Sequence, residues 1–208
     1  MDCGIRPVEL QVELVAMTPE PERVIEQAGR TCYLSFDRIG ANSDKDFIRR
    51  LIKMGHQSPL EHASATFRIS NCSRAMTHQL VRHRLMSVSQ KSQRYVDEEG
   101  FEYVVPEGLP KEFVEDYHND MRIIRQMYGK WRDRGLKKED ARFVLPNACT
   151  SEIVVTANFR QWRHIFSLRI SPKAQWEIRK ACCLILEILR RHARTCFEDI
   201  EVIDEAVQ

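Results

Sequence analysis

The chain has 208 residues, 43% of them hydrophobic and 30% charged, which describes a globular protein able to bury a core, and we expect a single domain over 1–208. No apolar run approaches the roughly 20 residues of a membrane-spanning helix. The N-terminal sequence MDCGIRPVEL has no charged-then-apolar leader, so we expect a cytoplasmic protein. The formal net charge of +2 lacks the positive excess of a non-specific nucleic-acid binder.

The first part of the chain predicts strand, helix, helix and strand. Val8–Thr18 alternates apolar and polar residues as a half-buried strand does. Pro19 and Pro21 are expected to open a helix, and a second helix is expected to be capped by Ser43 and Asp44 and ended by Gly55. Ala63–Ile69 again keeps a period of two, which predicts another strand.

A third helix is expected to start at Ser73 and run through Leu80. If it continues, Gln79, Arg82 and His83 stand at i, i+3 and i+4 and share one face.

The middle of the chain predicts two strands and two helices. Phe101–Pro106 is expected to form a short strand, and Glu112–Arg134 repeats its apolar residues as a long amphipathic helix does. Lys138–Val144 predicts a shorter helix, and Glu152–Ala157 has strand composition.

Two further helices complete the predicted fold. One follows Asn158, and the other is expected over Ala174–Phe197. Because helices and strands are mixed without regular alternation, the pattern favours an α+β domain.

The most informative stretch is RHRLMSVSQKSQRY, from Arg82 to Tyr95. Cations stand at its start, and a polar run with little apolar content follows, which is unlike a core element. Arginine offers a planar fork of donors for phosphate or carboxylate, and serine hydroxyls complete such an anion site. The alternative interpretation is a solvated basic helix end that runs into a surface loop.

This stretch resembles the signature of the flavin-dependent thymidylate synthases, which is R-H-R, seven residues, a serine and usually a closing Arg-Tyr. Three further segments resemble the family in the same order, and they are GHQSPLEH (Gly55–His62), ARFVLP (Ala141–Pro146) and NFRQWRHIFSLR (Asn158–Arg169), the last followed by AQWEIR. Many members carry Asn-Glu where this chain has Ser89 and Gln90, which removes a carboxylate, although an amide can still donate and accept hydrogen bonds.

The resemblance implies the family's single mixed helix and sheet domain and its reaction. That reaction converts deoxyuridylate (dUMP) to thymidylate (dTMP), with 5,10-methylenetetrahydrofolate as carbon donor and reduced FAD as hydride donor. NADPH would reduce the flavin, and a homotetramer would build its sites from several subunits. Such a protein must bind anions and orient them, which the basic segments suit.

The resemblance also assigns residues to each ligand. Flavin contacts are implied for Ser58, Arg82, His83, Arg84, Gln90, Asn158, Arg160 and His164, with His56 as a weaker candidate. Contacts to dUMP are implied for Gln79, Arg82, Gln90, Ser92, Gln93, Arg94, Arg142 and Arg169.

Arg169 is the residue expected to activate the substrate. An arginine keeps its charge, so it can hydrogen-bond the uracil edge and stabilise negative charge that develops there. The alternative is a structural cation at a helix C-terminus, where the helix dipole favours positive charge.

The cysteines and histidines do not predict a metal site. Seven cysteines are an odd number and form no C-x-x-C pair, although Cys149 follows a Pro-Asn turn and can be exposed. Neither His56 with His62 nor His78 with His83 has the i, i+4 spacing of a helical zinc site.

Single histidines have structural alternatives. His62 is expected to be buried and hydrogen-bonded, and His164 can pack against Trp162 instead of a ligand.

Two competing functions stay open at this point. A nucleic-acid-binding module could use the basic Arg82–Tyr95 loop with Tyr95 and Trp162 as stacking platforms, and its affinity would fall steeply with salt. A degenerate family member would bind flavin without forming thymidylate.

Overall fold

A computed structural model describes residues 8–203, which form four strands and seven α-helices. The strands are β1 (Gln11–Met17), β2 (Ser64–Ser73), β3 (Ser87–Gln90) and β4 (Thr150–Asn158). The α-helices are α1 (Pro21–Thr31), α2 (Ser43–Lys53), α3 (Arg74–Leu80), α4 (Val114–Asp133), α5 (Lys138–Ala141), α6 (Phe159–Arg169) and α7 (Trp176–His192). Short 3-10 turns lie at Phe36–Arg38, Ser58–His62, Lys111–Phe113, Arg142–Val144 and Arg194–Cys196.

The four strands form one sheet in the order β1-β2-β4-β3. The hydroxyls of Thr66 on β2 and Thr156 on β4 lie 2.8 Å apart, so a polar pair joins these two strands. Because β4 inserts between β2 and β3, the order in the sheet differs from the order in the chain. The mixture of helices and strands confirms the expected α+β class.

Contacts between residues divide the chain into two compact units. The first unit comprises residues 8–11, 69–82 and 89–153, and the second comprises 12–68, 83–88 and 154–203. The single domain expected over 1–208 stays a prediction.

Aromatic rings form the core of the second unit. Phe67 and Trp162 meet edge to face with ring centroids 5.4 Å apart, and Trp162 stacks on Phe166 at 6.0 Å. Phe197 packs against Phe159 at 5.0 Å and against Phe166 at 6.0 Å. Because Trp162 lies on the inner face of α6, the opposite face of that helix is left for other contacts.

Helices α1 and α2 of the second unit pack closely. A Cβ atom on Gly29 would lie 2.5 Å from a ring carbon of Phe47, so only glycine fits at this approach. Ser43 does not cap α2 as expected, because Asn42 occupies the cap position and the Ser43 hydroxyl donates to Glu26 Oε2 at 2.9 Å.

The first unit has a smaller core that includes a thiol. Phe101, Tyr103 and Met121 surround Cys149, which is fully buried. The suggestion that Cys149 is exposed was therefore wrong. Burial raises the pKa of its thiol to about 12, which leaves it protonated and poorly nucleophilic at neutral pH.

Helix α3 ends before the basic motif that starts at Arg82. Ser73 caps it as predicted, since its Oγ accepts a hydrogen bond from the Met76 amide at 3.0 Å. The helix ends at Leu80, so Arg82 and His83 lie beyond it. The prediction that they share a helix face with Gln79 was wrong.

One strand was not predicted, and one predicted strand does not form. Ser87–Gln90 forms β3 where a loop was the alternative interpretation of the basic stretch. Phe101–Pro106 is not a strand, and within it Tyr103 makes only an isolated bridge to Cys149. Helix α7 ends at His192, five residues before the expected end, because the chain tightens into a 3-10 turn.

Candidate functional site

The residues implied for flavin and for dUMP divide between the two units. Of the flavin set, the second unit contains Ser58, His83, Arg84, Asn158, Arg160 and His164, and the first contains Arg82 and Gln90. Of the dUMP set, the first unit contains Gln79, Arg82, Gln90, Ser92, Gln93, Arg94 and Arg142, and the second contains Arg169.

The second unit carries a cleft of about 860 Å³. Its walls come from the Ser58–His62 turn and its flank, from α6 and from the residues after α7. Three of the residues implied for flavin line this cleft, namely Asn158, Arg160 and His164. The volume lies in the range of about 300–1,000 Å³ that small-molecule sites occupy.

Helix α6 positions its donors through its first turn. Asn158 Oδ1 accepts a hydrogen bond from the Gln161 amide at 2.8 Å, which makes Asn158 the N-cap and leaves its amide group as a donor. Arg160, two residues after the cap, is exposed and pairs with Glu61 in the cleft wall. The N-terminal end of a helix favours anions through its exposed amides.

Arg163 is committed to a partner in the second unit. Its Nη1 and Nη2 donate to the two carboxylate oxygens of Asp199 at 2.7 and 2.6 Å. This hydrogen bonding lowers the pKa of the Asp199 carboxyl against the opposing effect of burial. Arg163 therefore stabilises the cleft wall, and Arg160 and His164 are its more exposed basic side chains.

His83, His164 and Arg169 form a cluster in the second unit. Arg169 is the last residue of α6, and its Nε donates to His83 Nε2 at 3.0 Å. Burial, followed by the charges of Arg169 and His164, lowers the pKa of His83 to about 4. Because Nε2 accepts, the neutral ring carries its proton on Nδ1.

His164 contacts this cluster and not Trp162. Its ring is exposed and lies edge to face with the His83 ring at 6.2 Å, while Trp162 is buried and donates to the Ala65 carbonyl at 3.2 Å. The expected burial of His62 was also wrong, since that side chain is exposed.

Two glutamines of the dUMP set are engaged inside the first unit. Gln90 Nε2 donates to the hydroxyls of Thr77 and Ser151, both at 2.9 Å. Gln93 is only 8% exposed, and its Nε2 lies in hydrogen-bond contact with Cys149 Sγ at 3.7 Å. The side chains of both residues therefore hold the local fold, and their contacts to substrate stay predictions.

Two arginines of the dUMP set contact Glu139, a residue that the sequence did not point to, and Ser92 contacts the backbone of one of them. Arg94 Nε donates to Glu139 Oε2 at 2.6 Å, and Arg142 Nε donates to the Glu139 carbonyl at 3.0 Å. Ser92 Oγ accepts from the Arg94 amide at 3.2 Å. The only signal for Glu139 in the sequence is its position one helical turn before Arg142.

The remaining members lie near the end of α3. Gln79 is half-buried on the helix, and Arg82 is exposed just after it. In the second unit, Arg84 and Ser58 are likewise exposed.

No cluster of three His, Cys, Asp or Glu side chains that could hold a metal ion occurs among residues 8–203. Over the same range, every helix is too short or too polar to cross a membrane.

Comparison with known proteins places the chain in a family. A family model described as thymidylate synthase complementing protein matches residues 13–193. A flavin-dependent thymidylate synthase of Geobacter sulfurreducens is 40% identical over 200 residues, covering 91% of this chain and 86% of that protein. One of the same name from Pyrococcus furiosus is 42% identical over 190 residues, covering 86% and 78%.

Solved structures share the fold. Thymidylate synthase X from Helicobacter pylori, crystallised with FAD and dUMP, has a TM-score of 0.72 at 26% identity and covers 92% of this chain and 99% of that chain. The UMP/dUMP methylase PolB from Streptomyces cacaoi, bound with 5-Br dUMP, has a TM-score of 0.77 at 25% identity, with coverage of 93% and 94%.

These matches define an α+β enzyme class built around a nucleotide site. The chain belongs to the flavin-dependent thymidylate synthase family, as its four motifs predicted. The relatives above give no support to the alternative of a nucleic-acid-binding module.

Proposed function

We propose that this protein converts dUMP to dTMP, taking the carbon from 5,10-methylenetetrahydrofolate and the hydride from FAD that NADPH has reduced. Family membership supports the reaction type, and the Helicobacter pylori relative is described with FAD and dUMP. The observation that carries the proposal is the 3.0 Å hydrogen bond from Arg169 to His83, because it joins the R-H-R motif to the end of the motif that starts at Asn158.

The donor set of the second unit fits a flavin dinucleotide. Its pyrophosphate needs cations and N–H donors, and Asn158, Arg160 and His164 supply these along one cleft. We assign Ser58, Arg82, His83, Arg84 and Gln90 to the same cofactor. When bound, the reduced flavin supplies a hydride.

The first unit offers the groups that would hold dUMP. Arg94 uses its Nε on Glu139 and keeps both Nη groups, which form the fork that a phosphate accepts. Ser92 adds a hydroxyl beside the Arg94 amide, and Arg142, whose Nε donates to the Glu139 carbonyl, adds a second guanidinium. Gln79, Arg82, Gln90 and Gln93 complete the proposed set.

Arg169 is proposed as the catalytic residue. Its Nε is occupied by His83, so the rest of the guanidinium is available to the uracil edge. A fixed cation there stabilises negative charge on the ring as the new bond forms. Cys149 is not a candidate nucleophile, because it is buried and its pKa is raised.

The enzyme is further proposed to be a cytoplasmic homotetramer whose sites draw residues from several subunits. It would bind dUMP and the folate, with no nucleic-acid or membrane partner and no metal.

The test is a spectrum followed by anaerobic kinetics. Purified protein is expected to absorb in the flavin range, to oxidise NADPH faster when dUMP is present, and to form dTMP once methylenetetrahydrofolate is added. Colour without dTMP would indicate a flavin-binding protein that has lost catalysis. Colourless protein whose nucleic-acid affinity falls steeply with salt would contradict the proposal.

Arg169→Ala separates catalysis from cofactor binding. The variant is expected to retain flavin and to lose turnover by about 100-fold or more, the scale seen when one transition-state donor is removed. Arg191→Ala, on the exposed face of α7, is the matched control and is expected to turn over normally. Near-normal turnover of Arg169→Ala would refute the assigned role.

A further inference from the structure

An ion pair between the buried Glu98 and the partly exposed Lys91 closes the segment that carries the proposed dUMP ligands. Glu98 is 3% exposed, and Lys91 Nζ donates to its Oε2 at 3.1 Å. Nζ also lies 3.0 Å from Oε1, at an angle that does not make a second hydrogen bond. Such pairs add little net stability, but they are costly to break from one side, because the remaining charge stays buried and unpaired.

The backbone at both ends of the pair is anchored as well. The Lys91 amide donates to the Glu152 carbonyl of β4 at 2.8 Å. The Glu98 amide donates to the Tyr128 hydroxyl of α4 at 3.4 Å. We call residues 91–98 the clasp segment. Its two ends are anchored through their backbone amides, and the Lys91–Glu98 side-chain pair links these ends to each other.

Two residues of the clasp segment, Gln93 and Glu98, are linked by polar contacts through Cys149. Gln93 Nε2 contacts Cys149 Sγ at 3.7 Å, and Cys149 Sγ lies 4.0 Å from Glu98 Oε2. Burial keeps this thiol protonated, so it can donate to the carboxylate. Lys91, Gln93 and Glu98 thus form the inner side of the segment.

The outer side of the clasp segment is a tight turn. The Ser92 carbonyl accepts from the amides of Tyr95 at 3.2 Å and Val96 at 2.9 Å. Arg94 projects from the middle of this turn and is exposed. The proposed ligands Ser92 and Arg94 therefore alternate with the inner residues.

We propose that Lys91 and Glu98 are positioning residues for nucleotide binding, whose buried pair fixes the turn that presents Ser92 and Arg94 to dUMP. This inference rests on the proposed function. Neither residue needs to touch the nucleotide, because the pair acts through the shape of the turn.

Glu98→Gln in the flavin-loaded enzyme tests the pair. The amide has the shape of the carboxylate and can still accept a hydrogen bond, but it leaves the Lys91 ammonium without an opposite charge. We expect the Kd for dUMP, measured by calorimetry, to rise by about tenfold or more, since small displacements of positioning groups have effects of this size. The KM for dUMP should rise in parallel while kcat changes by less than about threefold.

Rescue distinguishes positioning from a general loss of structure. Lys91→Gln together with Glu98→Gln removes both charges and lets two amides hydrogen-bond, so we expect the Kd to return to within about threefold of the wild-type value. The control is Glu26→Gln, which breaks the buried pair with Arg30 at 2.9 Å in the second unit. It should lower the melting temperature and leave the Kd for dUMP unchanged.

The outcomes separate the two proposals. A wild-type enzyme that fails to bind dUMP would overturn the proposed function. Wild-type binding with an unchanged Kd in Glu98→Gln, or a double variant as weak as the single one, would overturn the positioning role. If Glu98→Gln is unfolded at the assay temperature, Lys91→Gln is measured under the same criteria, since its side chain is partly exposed.

Discussion

The ionisation state of the His83 side chain decides whether it can hold Arg169, the proposed catalytic residue, in place. It accepts a hydrogen bond from Arg169 only while Nε2 is unprotonated. Its pKa of about 4 is depressed mainly by burial, so the ring is neutral at physiological pH. Protonation would replace an acceptor by a second cation beside Arg169.

This ionisation predicts how stability depends on pH. The unfolded ring has a pKa of about 6.5. Its contribution to stability is therefore complete above pH 6.5 and is lost as pH falls towards about 4. Thermal melts of the wild type are expected to fall over that window, and those of His83→Gln, which keeps an acceptor but cannot titrate, to fall less.

Asp199 titrates below the pH window in which His83 is expected to lower the stability, so the two groups can be distinguished. Its pKa is lowered by the Arg163 hydrogen bond, so its contribution is lost only below the ordinary value of 3.8. Equal slopes for the wild type and His83→Gln between pH 6.5 and 4 would contradict the assignment to His83.

Residue types in a motif could be predicted from the sequence, but their burial could not. The resemblance led to Arg94 and Arg142, which both contact Glu139, yet it gave no indication of Glu139 itself. Cys149 was expected to be exposed because it follows a Pro-Asn turn, and Gln93 lies in a stretch whose alternative interpretation was a surface loop, but both are buried by a core formed from distant parts of the chain.

At the level of elements, helix α6 contributes at both of its ends. Asn158 caps its start beside the cleft, and Arg169 ends it beside His83. A rigid element thus sets the distance between a proposed cofactor ligand and the proposed catalytic residue, which loops would hold less well.

The two roles of Asn158 can be separated by substitution. Asn158→Ala is expected to lose the cap and about 1 kcal/mol of stability in the apoprotein. Asn158→Ser keeps a capping oxygen but has no amide group, so it should retain stability within a few tenths of a kcal/mol and bind FAD more weakly. Urea unfolding and flavin titration provide the two measurements.

Each variant also has a contradicting result. Equal stability of Asn158→Ala and the wild type would argue against the cap, and unchanged FAD affinity in Asn158→Ser would argue against the amide as a ligand.

The long helices and strands β1, β2 and β4 could be predicted from the regular repeat or the composition of their apolar residues. Strand β3 could not, because SVSQ is short and polar and depends on pairing with β4. The helix predicted from Ser73 through Leu80 is confirmed, but nothing in the sequence indicated that Arg82 and His83 lie beyond it, since no glycine or proline follows Leu80.

At the level of the whole molecule, several large apolar side chains remain exposed in the single chain. Among the described residues they include Leu34 at 81%, Leu85 at 76%, Phe143 at 83% and Leu168 at 50%. Because contiguous apolar surface commonly marks subunit contacts, these side chains are candidates for burial in the proposed homotetramer.

Light scattering coupled to gel filtration tests this assembly. The expected mass is about four times the 24.4 kDa of one chain, and the melting temperature should rise with protein concentration, because association stabilises the folded subunit. Phe143→Ser is expected to weaken association, and the exposed Lys53→Ser serves as a control. A monomer at micromolar concentration would contradict the proposal.

The sheet order β1-β2-β4-β3 was beyond prediction from the sequence, because strand pairing depends on contacts between distant segments. Motif order along the chain nevertheless indicated the family, since ligand-binding residue types keep their spacing while the intervening chain varies.

The ion pair between Lys91 and Glu98 also has a consequence for descent. A buried charge without its partner destabilises the fold more than a charge pair or two neutral residues do. The first replacement at either position is therefore disadvantageous until the second follows. Lineages are therefore expected to keep both charges or to exchange both, so these two positions should change together although six residues lie between them.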